Sequence, residues 1–349
     1  MSSRMRDRSD DHIGAGPGPK AQVKLRFIKA FRYFSGAAPR QSSVQVIRGF
    51  SQAGHDRIAL TIGNFDGVHR GHQAMLSRLS EAAEDLALPP AVLTFEPHPR
   101  EFFASESAPP RLSTLRDKLE RFASGGVARV HLARFDARLA KLSAEEFIDQ
   151  VLVRKLRVSW ILVGDDFRFG RDRAGDLALL REKAADYSVE VMPTVTIDGE
   201  RASSSAVRSA LAAGNLEHAA KLLGRPYAMS GRVAHGDKLG RHLGFPTANV
   251  VLRRKPALSG IFAVRVHGLG GEARAGVASL GVRPTVKQGA RPLLEVFVFD
   301  FDEAIYGRRI TVEFLHKLRD EERYADLDQL TRQIRVDVAQ ARDYFATAK

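Results

Sequence analysis

The sequence contains no cysteine among its 349 residues. This absence excludes disulfide bonds, thiolate catalysis and cysteine-ligated metal sites, and it fits a reducing, cytoplasmic location. No apolar run approaches the ~20 residues that cross a bilayer, so we expect no membrane association. The amino terminus has no apolar stretch with a cleavage site, so we also expect no signal peptide.

Acidic side chains are fewer than basic ones, and the formal net charge is +13. A basic chain can bind nucleic acid, but no nucleic-acid-binding motif accompanies the charge here. Residues 1–43 hold nine Lys and Arg against three Asp, and we expect them to form a disordered basic tail. Residues 23–34 could form a short amphipathic helix on a membrane or a partner, although we prefer a non-functional extension. An enzyme with polyphosphate substrates would show the same overall charge, and we expect no nucleic-acid partner.

One stretch, Thr61–His72, reads T-I-G-N-F-D-G-V-H-R-G-H and separates two periodic segments. The apolar run Ile58–Ile62 predicts a buried strand, and Gln73–Leu86 has apolar residues at helical spacing. His69 and His72 lie three apart, so a helix that begins near His69 places both rings on one face at its amino end. Such an end suits phosphate, and imidazoles there can donate hydrogen bonds to a phosphoryl transition state.

Two other interpretations of this stretch stay open. A helix-start turn with two surface histidines would show the same spacing. A metal site is less consistent, because histidine pairs on zinc-binding helices are usually four apart and no cysteine can complete the site. The length of the string favours nucleotide binding.

From residue 58 to residue 211, short apolar runs alternate with amphipathic segments, which predicts a parallel sheet with helices on both faces. The predicted strands are 58–62, 91–95, 128–132, 160–163 and 189–195, and the predicted helices are 73–86, 115–123, 144–156, 176–185 and 204–213. Ligands of such sheets bind beyond the carboxyl ends of the strands. Three further segments should reach that edge, namely Leu93–Phe102, Val163–Gly170 and Arg201–Arg208.

Side chains in these segments suit a nucleotide, although each has a structural alternative. Asp165 and Asp166 could hydrogen-bond a ribose or base, or they could cap a turn. Ser203 or Ser204 can cap the helix that follows. Arg208, one turn into that helix, could also contact a pyrophosphate with two donors.

The pattern changes after a short helix that Gly224 ends, and we place a domain boundary between residues 224 and 225. Strand-like runs at 264–266, 275–280, 293–299 and 310–315 have no helix between them, which predicts an antiparallel sheet or small barrel. Residues 326–345 form an amphipathic helical pattern. We therefore predict a Rossmann-like α/β domain at 44–224, followed at 225–349 by a small antiparallel β-barrel with a C-terminal helix.

Residues 231–249 are rich in glycine and basic side chains, which predicts a flexible loop. Such a loop can fold its N–H groups around a polyphosphate, although the P-loop signature is absent and a surface loop would also be glycine-rich. Thr247 and Asn249 share a face in an extended segment. A hydroxyl and an amide oxygen are plausible hard ligands for Mg²⁺.

Several motifs resemble one enzyme family in the order of their occurrence. G-N-F-D-G-V-H-R-G-H resembles the H-x-G-H signature of nucleotidylyltransferases, and S-S-S-A-V-R resembles their S-S-T-x-x-R motif with Ser205 in place of Thr. V-G-D-D-F-R-F-G, G-D-K-L-G-R, G-F-P-T-A-N, G-V-R-P-T and R-D-E resemble motifs of bacterial bifunctional riboflavin kinase/FAD synthetases. The resemblance covers about residues 44–345. The family usually has Asn where this chain has Ser279.

The resemblance implies a nucleotidylyltransferase-like domain that transfers AMP from ATP to FMN, giving FAD and pyrophosphate, and a barrel that phosphorylates riboflavin to FMN. Both reactions would use ATP and Mg²⁺. His69 and His72 would contact ATP phosphates, and Glu295 would be the catalytic base of the kinase. The other implied ATP contacts of the first domain are Gly63, Phe65, Asp66, Asp166, Arg201, Ser204, Ser205 and Arg208. The implied ATP contacts of the kinase are Gly236, Lys238, Gly240, Arg241, Thr247 and Asn249. Thr247 and Asn249 would also bind Mg²⁺, and Arg319 and Glu321 would bind the flavin.

Two competing functions stay open. The chain could be another nucleotidylyltransferase whose second domain only binds a ligand, although G-F-P-T-A-N and Glu295 argue against it. It could also be a basic RNA-binding protein on a degenerate enzyme fold, which predicts salt-sensitive RNA binding. The expected partners are riboflavin, FMN and ATP, and a homo-oligomer is left open.

Overall fold

The computed structural model of the chain describes residues 44–50, 56–236, 240, 243–252, 254–282 and 292–347. The predicted tail, Lys238, Arg241 and most of the G-V-R-P-T motif lie outside the described residues. Within those ranges a parallel α/β domain precedes a β-barrel and a C-terminal helix, which confirms the predicted fold class. No helix in the same ranges is long and apolar enough to span a membrane.

The first domain contains a six-stranded parallel sheet in the order β1-β4-β3-β2-β5-β6. The chain runs outward from β2 through β3 and β4 on one side and continues through β5 and β6 on the other. This reversal makes the carboxyl end of β2 a topological switch point, where open parallel sheets bind ligands. The strands are β1 (Gln45–Arg48), β2 (Ile58–Ile62), β3 (Pro90–Glu96), β4 (Arg129–Arg134), β5 (Val158–Gly164) and β6 (Ser188–Met192).

Helices cover both faces of this sheet and bury it in two separate core clusters, while the last two helices of the domain pack in the core of the barrel. The helices are α1 (Arg70–Asp85), α2 (Pro99–Phe103), α3 (Leu115–Ser124), α4 (Ala137–Ala140), α5 (Ala144–Glu146), α6 (Leu177–Glu182), α7 (Ser204–Ala212) and α8 (Leu216–Leu223). A short hairpin of β7 (Thr196–Ile197) and β8 (Glu200–Arg201) precedes α7.

Several elements of this domain differ from the predicted ones, and two of the differences concern predicted segments whose type or end changes. The predicted helix 144–156 is α-helical only over Ala144–Glu146 and continues as a π-helix over Phe147–Lys155. The predicted strand 189–195 ends at Met192. Both boundaries depend on tertiary packing that a hydrophobic pattern does not encode.

The second domain is a closed barrel in the order β10-β13-β12-β11-β14-β9, with helix α9 (Leu327–Thr347) packed on its outside. Its strands are β9 (Tyr227–Ala234), β10 (Thr247–Val251), β11 (Gly260–His267), β12 (Arg274–Val282), β13 (Pro292–Val298) and β14 (Arg309–Arg319). The predicted flexible loop therefore began too early, because Gly231 lies inside β9. A Cβ on Gly231 would overlap Val250, so close approach of β10 requires glycine there.

Helices α7 and α8 join the two domains without a break in the hydrophobic core. Leu216, Leu222 and Leu223 belong to the same buried cluster as Tyr227 and Phe314 of the barrel. Gly224 ends α8 in a left-handed conformation (φ +72°), and the chain then turns into β9. The predicted boundary between residues 224 and 225 falls in this turn.

Candidate active sites

The histidine pair lies where the sequence predicts it, at the start of α1. His69 is the N-cap residue of this helix. The rings of His69 and His72 stack with their centroids 3.7 Å apart, and Phe65 packs against His72 at 4.8 Å. Neither Nδ1 atom has a hydrogen-bond partner in the part of the chain that the structure describes. Both rings therefore keep a polar atom that the described fold does not use.

Both imidazoles are neutral near pH 7. Burial, followed by the charges of three neighbouring arginines, lowers the pKa of His69 to about 4. Burial and then the neighbouring His69 lower the pKa of His72 well below its usual value. A neutral imidazole still donates one hydrogen bond, and the nearby arginines supply the positive potential that favours a polyphosphate. These arginines are Arg201, Arg225 and Arg208.

The loop between β2 and α1 has a backbone conformation that most side chains avoid. Phe65 (φ +50°), Gly67 (φ +79°) and Val68 (φ +42°) all have positive φ. For a β-branched residue such as Val68 this conformation costs on the order of 1–3 kcal/mol. Such a loop persists only where surrounding groups hold it.

Asp66 is the main internal anchor of this loop. Its buried carboxylate accepts hydrogen bonds from the backbone N–H groups of Leu112 (3.0 Å) and Ser113 (3.2 Å) and forms an ion pair with Arg208 (2.5 Å). The Ser204 hydroxyl donates to the Asp66 carbonyl at 2.9 Å. Three residues that the resemblance assigns to ATP, Asp66, Ser204 and Arg208, are thus joined to one another and fix the loop.

The loop opens into a cleft of about 890 Å³. All three predicted segments contribute to its walls, so their meeting at this edge is confirmed. One part of the lining is polar and includes His72, Ser204, Ser205 and Arg208 beside the backbone of residues 63–66. Another part is aromatic and consists of Phe95, Phe103, Phe135, Phe147, Phe167 and Phe169. This lining suits a ligand that combines phosphates with a flat ring.

The two neighbouring aspartates after β5 have different environments, which separates the two alternatives for them. Asp165 accepts hydrogen bonds from the N–H and the hydroxyl of Thr194, at 3.2 and 2.9 Å, and so ties two loops together. Asp166 lines the cleft and pairs with Arg201 at 2.6 Å. The helix cap is Ser203, whose hydroxyl accepts from the N–H of residue 206.

A second set of polar groups lies on the barrel, on the side of β13 that faces away from its core. Strand pairing places Asn249, Glu295 and Ser279 opposite one another on β10, β13 and β12. Thr247 precedes Asn249 by two residues on β10, so the predicted shared face is confirmed. The buried Oδ1 of Asn249 has no hydrogen-bond partner among the described residues. This spare acceptor beside a hydroxyl fits a hard cation such as Mg²⁺.

A further carboxylate, that of Glu321, lies beside Glu295. It occupies the space that a Cβ on Gly281 would need. Burial, followed by the negative charge of Glu295, raises the pKa of Glu321. Arg319 makes a bidentate ion pair with Asp337 of α9, at 2.8 and 2.7 Å, and so fixes the segment that carries Glu321.

Comparison with known proteins decides the family. One family model, FAD synthetase, matches residues 51–206, and another, riboflavin kinase, matches residues 223–345. A bifunctional riboflavin kinase/FMN adenylyltransferase of Escherichia coli (strain K12) is 49% identical over 309 residues, which cover 88% of this chain and 98% of that protein. The chain belongs to the bifunctional riboflavin kinase/FMN adenylyltransferase family. A relative of the same name from Pseudomonas fluorescens is 49% identical over 305 residues, covering 86% of this chain and 97% of that protein.

A solved structure shows that this riboflavin kinase/FMN adenylyltransferase fold is shared across both parts of the chain. It is described as a macrolide-efflux protein from Streptococcus pneumoniae. The two structures superpose with a TM-score of 0.72 and 29% sequence identity, and the alignment covers 84% of this chain and 97% of the solved one. The family matches confirm the predicted enzyme, a riboflavin kinase and FAD synthetase in one chain. The match of residues 223–345 to riboflavin kinase argues against a second domain that only binds a ligand.

Two cations near the adenylyltransferase loop, the buried Lys118 and the partly buried Arg225, were not predicted from the sequence. Lys118 donates to the Asn64 carbonyl at 3.0 Å and to the Thr94 hydroxyl at 3.2 Å, and burial lowers its pKa to about 8. The signal was present, because Lys118 interrupts the apolar stripe that Leu115, Leu119 and Phe122 form on α3. No pattern marks Arg225, since G-R-P indicates only the end of a helix.

Proposed function

We propose that AMP transfer to FMN takes place in the cleft beside His69 and His72, and that riboflavin is phosphorylated on the barrel face that carries Glu295. The observation that carries this proposal is the separation of two sets of polar groups onto two sheets. The proposed domains are residues 44–224 and 225–349, with residues 1–43 outside both.

In the cleft, the ATP phosphates would lie at the amino end of α1, where unpaired N–H groups favour anions. A phosphate oxygen of FMN is already ionised at neutral pH, so it can attack the α-phosphorus of ATP without a protein base. The bond to the bridging oxygen breaks and pyrophosphate leaves. His69 and His72 would donate hydrogen bonds to the oxygens on which charge accumulates, with Arg208 and the backbone at Gly63 and Phe65 alongside.

The rest of the cleft would select the two substrates. Asp166 and its ion-pair partner Arg201 would contact the ribose or base of ATP. The isoalloxazine ring of FMN is flat and aromatic, and the phenylalanine-lined wall offers it ring contacts. Ring centroids of Phe102 and Phe103 lie 5.6 Å from Phe135, and Phe103 is 68% exposed, so an apolar surface is available for a ligand to cover.

On the barrel, Glu295 would accept the proton of the terminal hydroxyl of riboflavin as the oxygen attacks the γ-phosphorus of ATP. The bond from this phosphorus to the bridging oxygen breaks, and ADP leaves. Thr247 and Asn249 would hold Mg²⁺, which neutralises phosphate charge when bound. Glu321, held in place through Arg319, would accept hydrogen bonds from the flavin. The polyphosphate would be surrounded by Gly236, Lys238, Gly240 and Arg241.

The assignment of one reaction to each site is tested by measuring both reactions separately on each variant. His72→Ala removes one donor, so FAD formation from supplied FMN should fall by ~10²–10³ while riboflavin phosphorylation continues. Glu295→Gln keeps the shape and removes the base, so FMN formation should fall by ~10²–10⁴ while AMP transfer continues.

Glu313→Gln is the matched control for the second variant. Glu313 lies on β14, where its carboxylate is 3.2 Å from His267, and the change should leave both reactions intact. Near-normal kinase activity in Glu295→Gln would remove this residue from the mechanism. Equal loss of both activities in either folded variant would show that the two sites are not independent.

A further inference from the structure

Arg225 comes from the part of the chain that matches riboflavin kinase, yet its side chain contacts the adenylyltransferase loop. Its Nη2 donates to the Gly67 carbonyl at 2.6 Å. Its Nη1 donates to the carbonyls of Val68 at 3.2 Å and Leu223 at 2.9 Å. One guanidinium thus joins the end of α8 to the residues that directly precede His69.

Gln73 makes a second bridge between the same two places. Its Nε2 donates to the Val68 carbonyl at 2.9 Å and to the Leu223 carbonyl at 2.7 Å. Gln73 lies on α1 itself, whereas Arg225 reaches the loop from the opposite side of the domain junction. The loop that both side chains hold contains the strained Val68, whose conformation needs external support.

We propose that Arg225 is a positioning residue for AMP transfer, which holds the strained loop so that His69 and His72 stay aligned with the ATP phosphates. The inference rests on the proposed role of the two histidines. The guanidinium of Arg225 donates to the backbone carbonyls of Gly67, Val68 and Leu223, so it acts on AMP transfer through the loop.

A second effect of Arg225 is electrostatic. Burial is the largest cause of the low pKa of His69, and the positive charges of Arg201 on β8, Arg225 and Arg208 on α7 lower this pKa further. The ring of His72, on α1, stacks on the ring of His69. Burial lowers the pKa of Arg225 to about 9, so the side chain is still cationic at pH 7. Lysine would keep this charge but lacks the planar fork that spans several carbonyls, so it separates the two effects.

The test compares full-length Arg225→Lys and Arg225→Gln with the unchanged chain in both reactions. A loop displacement of ~1 Å can cost ~10²-fold in rate, so the kcat of FAD formation should fall ~10–100-fold in both variants. The KM for ATP should stay within about threefold, because the lost effect is on the transition state. Riboflavin phosphorylation should be unchanged. By NMR titration, the pKa of His69 should rise in Arg225→Gln and not in Arg225→Lys.

Arg309→Gln is the matched control, since Arg309 lies at the same junction and bonds Asp117 at 2.8 Å without reaching the loop. It should lower thermal stability without reducing FAD formation. Full AMP transfer in folded Arg225→Gln, a change confined to KM, equal loss of both reactions, or the same loss in Arg309→Gln would each overturn the inference. His72→Ala assayed in parallel separates the two proposals, because full activity there would instead remove the role of the histidine pair.

Discussion

Replacing Gly281 with Ala should disable riboflavin phosphorylation and spare AMP transfer. Gly281 lies on β12, and the carboxylate of Glu321 occupies the space that the new methyl group needs. To restore an ordinary separation of ~3.5 Å, this carboxylate must move by roughly 1.5 Å. The segment stays in place, because Arg319 is held by Asp337 through two hydrogen bonds, so the Glu321 side chain itself must rotate away.

Two effects of different size follow from this overlap. The overlapping atoms are the end of the exposed, flexible Glu321 side chain, so moving them aside should cost little unfolding free energy. A displacement of about 1 Å at a substrate-binding group can cost ~10²-fold in rate. We therefore expect a variant of nearly unchanged stability, with FMN formation about 100-fold slower and FAD formation from supplied FMN unchanged.

The assay incubates the variant with riboflavin and ATP, or with FMN and ATP, and separates the flavins by chromatography. The double variant Gly281→Ala/Glu321→Ala removes the overlap together with the carboxylate, so it should fold normally and still lack kinase activity. Gly271→Ala is the control: its φ of +78° makes alanine unfavourable, but nothing lies within 4 Å of the new atom. Normal kinase activity in folded Gly281→Ala would refute the placement of Glu321 in the kinase site.

Two further predictions concern regions outside both sites. Deleting residues 1–42 should leave both activities intact, because no motif lies there; a large loss of either activity in the soluble truncated protein would assign a role to the tail. Burial lowers the pKa of His131 from 6.5 to about 4, so the unfolded chain binds a proton that the folded chain excludes, and stability falls as the pH drops from 6.5 toward 4. His131→Phe should remove about 2–3 kcal/mol of this loss in urea unfolding at pH 7 and pH 4.5, and identical pH dependence in both proteins would contradict it.

The elements that the sequence predicts well are those whose pattern is local. The run Ile58–Ile62, apolar except for Thr61, is a fully buried strand, and α1 begins right after His69 as the spacing indicates. The pattern alone indicated an antiparallel sheet or a small barrel; the predicted barrel is confirmed, but its closure depends on which strands pair, which no local pattern encodes. Gly231 illustrates this limit: its role in β9 depends on Val250 of β10, which no local pattern reveals.

In the candidate sites, too, local features were predictable and contacts between distant residues were not. The position of a segment after a strand was enough to predict which segments line the cleft. The contacts within the site were not predictable, because they join residues far apart in the chain, such as Asp66 and Arg208 or Gly67 and Arg225. Side chains assigned to ATP by resemblance, Asp66, Ser204 and Arg208, proved to be bonded to one another, so their effect on ligand binding includes the shape of the loop itself.

The single hydrophobic core that α7 and α8 share with the barrel links the cellular amounts of the two activities. A cut between Leu223 and Tyr227 would expose apolar side chains on both fragments, so we expect each half to be less stable alone than in the full chain. A destabilising substitution on either side of the junction should then lower the cellular amount of both activities in the same proportion. The supply of FMN and the supply of FAD become linked through protein abundance, with no ligand-driven communication required.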